Sequence, residues 1–514
     1  MRYSLLTRAR ATAFAQLPTS ADDNKLQTTT IKMALPGLSL PGLGLQSSTT
    51  PVYGAVAPPP AEEVARKENL PAQSEWRFEV AFGRPYSIKL LTGHAELFGV
   101  ELAPSQTYNL SGYKGAIFTW QGCQLEITGE AESEYSAQET EYAVEWLNLH
   151  GMLETARDEA PADGGPRVMV VGPDNAGKSS LVRSVAAWAV KAGRTPTVVN
   201  LDPREGLLSP PASFTAVTVG SQLDVETGFG IAPISGPIVT PTKNPLIYSF
   251  PYAASSEKPD VYKAVITRMA LSVTNKMEED SAAKRSGFII DTPGSLNDPR
   301  SNYELLHHVV SEFSINVIIT TGSEKLLNDL NRRFGPGKGG DENIHVLRVT
   351  KPGGAVERDQ ACMRQLRTAQ VRQYFFGSSK EPLNPHSHSL TYGELNIYRA
   401  RSAAEQTAAT GFGADNDDDD YDPAMSSTPI PSNALFEKVT PSVAMTGSML
   451  AIKFCSGNSS EDSIRDSAVM GFLYVADVDE SKKKVRFLAP HPQRWGDRAL
   501  MWGSWPEAVP DLVT

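Results

Sequence analysis

The residues best suited to chemistry run from Gly172 to Ser179, Gly-Pro-Asp-Asn-Ala-Gly-Lys-Ser, and match G-x-x-x-x-G-K-[ST] without a mismatch. Each fixed position has a task. Gly172 and Gly177 permit the tight backbone path that turns N–H groups toward phosphate at a helix N-terminus. Lys178 can reach the β- and γ-phosphates, and the Ser179 hydroxyl can ligate Mg²⁺. The apolar run Val168 to Val171 precedes the loop, and a helical pattern closed by Gly193 follows it. That strand–loop–helix context makes the stretch a nucleoside triphosphate site rather than a chance glycine loop.

Two carboxylates are placed to work beside it. Asp202, in TVVNLDPREG, ends a strand, and sites in parallel sheets open at strand C-termini. There it can order Mg²⁺-bound water or accept a proton from an attacking hydroxyl, although an aspartate at that place also suits capping of the next turn. Asp291 ends the apolar strand of GFIIDTPG as a Walker-B-type acid and a second Mg²⁺ partner. Asp291-Thr292-Pro293-Gly294 also matches the D-x-x-G of GTPases. Guanine selection needs an [NT]-K-x-D after a later strand, however, and Asn275-Lys276 lies in a helical pattern, so a GTPase is the lesser expectation. Arg364, Arg367 and Arg372 share one helical stretch and form either a lid over a transferring phosphoryl group or a solvated basic face. His150, His307 and His308 sit in amphipathic patterns and are expected to be structural.

These residues need elements to hold them. A chain of 514 residues has room for two to four domains. Residues 1–70, rich in Ser, Thr, Pro, Gly and Ala, are expected to be disordered, with Leu35 to Leu45 as a possible docking segment. The first 17 residues look like a transit peptide, but Met33 is the preferred start because nothing downstream calls for an organelle. Short alternating runs over 71–132 predict a β-sandwich or barrel, and 133–165 a linker with a helical centre. Residues 166–381 alternate strand and helix patterns, which predicts a parallel sheet covered by helices. Its strands are expected at Val168–Val171, Thr197–Leu201, Gly287–Ile290, Asn316–Thr320 and Ile344–Val349, with Pro203 to Pro259 irregular. Residues 382–514 read as a small mixed α/β or β domain interrupted by an acidic insert at 402–432.

Composition narrows the partners. Of the net charge of −11, more than half comes from six aspartates between Asp415 and Asp422, so the remainder is only mildly acidic. This argues against indiscriminate nucleic-acid binding. Three scattered cysteines without a C-x-x-C form neither a disulfide framework nor a Cys-based zinc site. No apolar run approaches the length of a membrane span, and no membrane partner is expected.

Taken together, GPRVMVVGPDNAGKSSL, NLDP, RRFGPGKGG, VTKPGGAVERD and VRQYFFG, with SEWRFEV, LLTGHAELFGVEL and IFTWQGC upstream, resemble the eukaryotic polynucleotide 5′-hydroxyl kinase family. The resemblance spans about Ser74 to Pro490 and is most specific to the family's branch of ATP-binding subunits of pre-mRNA cleavage factor IA. It implies a P-loop central domain flanked by an N-terminal β-sandwich and a small C-terminal domain. It also implies ATP and Mg²⁺ as ligands, a nuclear location, and the scaffold subunit of cleavage factor IA with other cleavage and polyadenylation factors as partners, pre-mRNA being met indirectly.

By the same resemblance Glu75 is the adenine-side acid, Lys114 the nucleotide-side lysine, and Asn175, Ala176, Gly177, Lys178, Ser179 and Ser180 the phosphate-binding stretch. Asp202 is then the hydroxyl-activating acid, Arg367 and Arg372 the lid, and Ser179, Asp202 and Asp291 the metal side. The chain departs from active kinases at two places. Ser295 stands where they carry a tryptophan that clamps RNA, and a serine supplies no stacking plane. Pro203-Arg204-Glu205 follows Asp202 where they have smaller or neutral residues. The expectation is an ATP-binding structural subunit of the 3′-end machinery, with an active RNA 5′-hydroxyl kinase as the alternative.

Overall fold

Alternation along four short strands decides which neighbour each face of the central sheet meets. Val168, Val170, Val198, Ile289 and Ile319 turn to one face and belong to one hydrophobic core. Met169, Val171, Val199, Ile290 and Ile318 turn to the other face and belong to a second core. Strands covered on both faces need apolar side chains at every position, so they read in sequence as unbroken runs. The computed structural model describes residues 65–160, 164–230, 245–301, 303–335, 344–401, 435–492, 494–510 and 512. The transit-peptide reading, the Leu35 to Leu45 segment and the acidic insert 402–432 therefore lie outside the described residues.

The central sheet has seven strands in the order Leu246–Ser249, Ser213–Thr218, Thr197–Asn200, Phe288–Asp291, Arg167–Val171, Val317–Thr321 and His345–Val349. The last five are parallel, and the first two extend the sheet antiparallel. Those two strands fall within the stretch 203–259 expected to be irregular. They were hidden by their shortness among Gly and Pro, yet Phe214 and Ala216 join one core and Val217 the other. Helix Lys178–Lys191 lies on the face shared with the N-terminal domain, and Pro259–Glu279 on the other.

The N-terminal domain is a sandwich of a four-stranded and a five-stranded antiparallel sheet. It begins with Arg66–Leu70, inside the expected disordered segment, and ends with Ser133–Ala137, inside the expected linker. Each of these strands lies at the edge of its sheet and buries only one residue, Leu70 or Ala137. Polar edge strands carry little apolar alternation, so composition alone reads them as loops. Helix Glu141–Asp158 then crosses to the central domain, burying Trp146, Leu149 and Leu153 in the core shared by both.

The C-terminal domain is a seven-stranded sheet, antiparallel but for the pairing of Asn396–Ala400 with Arg498–Trp502. Asp479 ends one arm of its hairpin. Its Phe472 N–H donates to the Tyr374 hydroxyl at 2.8 Å, and both rings lie in the core beneath helix Gln360–Phe376. The two flanking domains are thus built onto opposite faces of one sheet.

Phe250 anchors the second core, fully buried and stacked on Phe214 at 4.9 Å against the edges of Tyr252 and Tyr262. Phe250→Ala is expected to cost about 3–5 kcal/mol, read as a lowered thermal midpoint of the whole chain. An unchanged midpoint contradicts this account of the core.

Candidate functional site

The register of the parallel strands brings the chemistry together. Val170 of the strand before the P-loop and Asn200 both pair with Asp291, so the segments beginning at Gly172, Leu201 and Thr292 leave the sheet side by side. Gly172 takes φ +159°, and a Cβ there would lie 2.5 Å from the Thr321 carbonyl oxygen. Gly177 takes φ +82° as the residue before helix Lys178–Lys191, and no side chain among the described residues caps that helix. Its first N–H groups are therefore left for an anion.

Around the cradle lies a cleft of about 1850 Å³, walled by the N-terminal domain, the P-loop, the loop after Val349 and the tail of the C-terminal domain. At its phosphate end, the Lys178 ammonium is buried and donates to the Pro173 carbonyl at 2.7 Å. Burial pulls its pKa below the usual value, and Asp291, Asp174 and Asp202 only partly restore it. Asp291 is buried too, and its Oδ1 has no hydrogen-bond partner among the described residues. Burial pushes this carboxyl up to about 7, against the pull of Ser179 and Lys178. A buried carboxyl with one oxygen unpartnered, beside a serine hydroxyl, suits a hard cation that keeps several waters, which is how Mg²⁺ is usually held. The cradle and this pair fit a triphosphate with its metal.

Asp202 is differently placed. Its Oδ1 accepts from the Arg204 backbone N–H at 2.9 Å and from Arg204 Nε at 3.2 Å, and its Oδ2 from Nη2 at 3.1 Å. Arg204 also grips Asp174 of the P-loop, at 3.0 and 2.7 Å. Next along, Glu205 takes a bidentate pair from Arg358 at 2.8 and 2.9 Å. Burial works to raise the Glu205 pKa, but Arg358 holds the carboxyl below its usual value.

On the N-terminal-domain side, Glu75 is fully buried in the cleft wall, with its carboxylate accepting from Arg77 Nε and the Tyr142 hydroxyl. Arg77 donates onward to Glu139 Oε1 at 2.6 Å. Desolvation works to lower the Arg77 pKa, yet Tyr135, Glu75 and Glu139 raise it overall. The loop after Val349 lies over this guanidinium, since Cβ atoms on Gly353 and Gly354 would come within 3.2 and 3.0 Å of its nitrogens. Lys114 lines the cleft and pairs with Glu79.

The lid arginines separate. Arg367 lines the cleft, nearly buried, with Nε donating to Glu507 at 2.8 Å and its guanidinium 4.5 Å above the Trp505 ring. Arg372 is exposed, lies over Phe376 at 5.6 Å and is not among the lining residues, so the expected lid keeps one of its two arginines. Exposed Arg364 lines the cleft. Ser295 meets Ser255 at 3.3 Å instead of facing the cleft. His150 lies tilted against Trp188, His307 tilted against Phe334, and His308 bonds the Lys263 carbonyl, all structural contacts. Sequence reasoning missed Arg77, Tyr142 and Arg358. The double glycine of Lys351-Pro352-Gly353-Gly354 was the available signal, marking a close backbone approach.

Three family descriptions match the chain. Residues 69–160 match the N-terminal beta-sandwich domain of polyadenylation factor, and residues 172–377 the mRNA cleavage and polyadenylation factor CLP1 P-loop. Residues 383–507 match the pre-mRNA cleavage complex II protein Clp1. The chain is 46% identical over 481 residues to the mRNA cleavage and polyadenylation factor CLP1 of Phaeosphaeria nodorum, covering 93% of this chain and 100% of that one. It is 42% identical to the counterpart in Botryotinia fuckeliana, with the same coverage. A solved wild-type Clp1p–Pcf11p complex is similar in fold, with a TM-score of 0.74 at 24% identity over 86% of this chain and 98% of that one. A second Clp1p structure with Pcf11p, which concerns loss of ATP in a point mutant, matches with the same TM-score over 87% of this chain and 99% of that one.

Asp291 generates a pH prediction. Its folded pKa of about 7 lies above the ordinary carboxylate range near 4, so the folded state keeps a proton that the unfolded chain releases. Its contribution to stability is full below about pH 4 and lost as pH rises to about 7. In protein free of nucleotide and metal, Asp291→Asn is expected to match wild type at about pH 4 and below and to melt higher at pH 8. Parallel melting curves at both pH values contradict this.

Proposed function

The chain belongs to the mRNA cleavage and polyadenylation factor CLP1 family and has a role in 3′-end processing, and from that premise we propose that it serves in the nucleus as an ATP-holding structural subunit. The carrying observation is a contrast within one cleft. The phosphate cradle is open and uncapped, while the groups on the acceptor side, Asp202 and Arg367, are engaged by Arg204 and Glu507. In this reading Asn175, Ala176, Gly177, Lys178, Ser179 and Ser180 hold the phosphates, and Ser179 with Asp291 holds Mg²⁺. Glu75 and Lys114 shape the base end from the N-terminal domain. Asp202, engaged by Arg204, orders the metal's water at most.

Mg²⁺ supplies charge neutralisation to the phosphates when bound. The chain's own residues do the rest: they bind, exclude water and join domains. A nucleotide in this cleft touches both the N-terminal and the central domain, so its binding free energy adds to the stability of that arrangement by mass action. The arrangement keeps a surface for a scaffold partner, as Clp1p has Pcf11p in the similar solved complexes. The alternative, an RNA 5′-hydroxyl kinase, draws on Asp202 and Arg367 lining the same cleft.

Mass analysis of nucleotide released from the purified full chain tests the reading, and ATP is the expected species. ADP alone, GTP, or labelling of 5′-hydroxyl RNA at the roughly 1–100 s⁻¹ of ordinary kinases contradicts it. Lys178→Ala is expected to emerge without nucleotide and to lose the linked stability, about 2.7 kcal/mol at a ligand concentration of 100 Kd, seen as a lowered melting midpoint that added ATP no longer raises.

A further inference from the structure

Every residue of the turn that follows Asn200 and Leu201 is tied to something else. Asp202 is held by Arg204, the Pro203 carbonyl accepts from Trp505 Nε1 at 2.9 Å, and Glu205 pairs with Arg358. Gly206 gives its N–H to Gln370 at 3.2 Å and accepts from Gln370 Nε2 at 2.7 Å. At the centre, all three guanidinium nitrogens of Arg204 are committed to two carboxylates. Nη1 and Nη2 serve Asp174, and Nε and Nη2 serve Asp202. Asp174 Oδ1 further accepts from the Gly294 N–H at 3.1 Å, and a Cβ at 294 would stand 2.3 Å from that oxygen. One guanidinium therefore links the P-loop, the turn carrying Asp202 and the segment after Asp291.

We infer that Arg204 is a positioning residue that withholds Asp202 from any acceptor hydroxyl and so keeps bound ATP intact. The inference rests on the ATP-holding reading and supplies its cause. For transfer, the acceptor oxygen bonds to the γ-phosphorus, the bond from that phosphorus to the departing ADP oxygen breaks, and the hydroxyl proton must leave. Asp202 can take that proton only through a carboxylate oxygen within about 2.6–3.2 Å of the hydroxyl. Oδ1 is filled by two donors, Arg204 Nε and its backbone N–H, and Oδ2 is held in the same fork by Arg204 Nη2, so the carboxylate is fixed on Arg204 rather than free to turn to a hydroxyl. A planar fork fixed on two carboxylates is rigid as well as strong. Lysine, a single point charge on a flexible stem, does not reproduce it. Pro203, Glu205 and Gly206 are anchored independently, so thermal motion of the turn does not free Asp202.

The test compares full-length wild type, Arg204→Ala, Arg204→Lys and the double variant Arg204→Ala/Asp202→Asn. In nucleotide-free protein, hydrogen exchange at residues 202–206 and 174–178 is expected to speed up in both single variants, while strand Phe288–Asp291 stays protected. After loading with ATP, both are expected to release phosphate faster into water or onto a 5′-hydroxyl oligoribonucleotide. General-base catalysis is worth about 10²–10⁴-fold, so a gain on the order of 10²-fold is expected for Arg204→Ala. The double variant returns to the wild-type rate. Should the alanine variant not fold, the lysine variant decides by the same criteria. The inference is overturned by variants that keep ATP as intact as wild type does, by a gain that survives Asp202→Asn, or by variants that lose nucleotide altogether, which makes Arg204 a ligand instead. A wild type that already turns ATP over as fast as its variants brings down the holding reading as well.

Discussion

A buried arginine at the seam of two domains fixes the geometry on which the site depends. Arg77 is almost wholly removed from water, and a charge so placed is tolerated only when its hydrogen bonds are met. Glu75 and Glu139 meet them from the N-terminal side, while the Gly353–Gly354 backbone lies against the guanidinium from the central domain. That backbone belongs to the loop that continues through Arg358 to helix Gln360–Phe376. The position of the N-terminal domain thus sets where the loop runs, and the loop sets where Arg358 meets Glu205. Thr350 reinforces the arrangement through two hydrogen bonds to Glu145 of helix Glu141–Asp158.

From that seam the cleft acquires two ends of opposite character. The phosphate end is made of backbone, at a helix N-terminus that no side chain caps among the described residues. The other end is made of ion pairs that satisfy one another, Arg204 with Asp174 and Asp202, Arg358 with Glu205, and Arg367 with Glu507. Phosphoryl transfer depends chiefly on positioning and electrostatic stabilisation. Here the arginines and acids beside the P-loop are paired with one another, which is the contrast on which the ATP-holding proposal rests.

Much of this was legible in the sequence because it rests on local rules. Four of the five parallel strands announced themselves as short apolar runs, the edge strand His345–Val349 being mixed, and the P-loop by its fixed spacing. The edge strands Arg66–Leu70 and Ser133–Ala137 were not legible, since a strand with one buried residue leaves no apolar alternation to read. Among site residues, Lys178, Ser179 and Asp291 follow from motif position and strand register. The engagement of Asp202 by Arg204 does not, because neighbours in sequence reveal nothing about which carboxylate a guanidinium will choose. The separation of Arg367 from Arg372 depends on the rotation of helix Gln360–Phe376, which Tyr374 and Phe375 set by packing into the core beneath it.

The central claim is that nucleotide bound in the cleft joins the N-terminal domain to the central one. Hydrogen–deuterium exchange of the full chain, with and without ATP and Mg²⁺, tests it most directly. The account predicts that ATP protects strand Ser74–Glu79 and residues 351–358 together with the start of helix Lys178–Lys191. Protection confined to the P-loop and its helix, with the N-terminal strand unchanged, would contradict it.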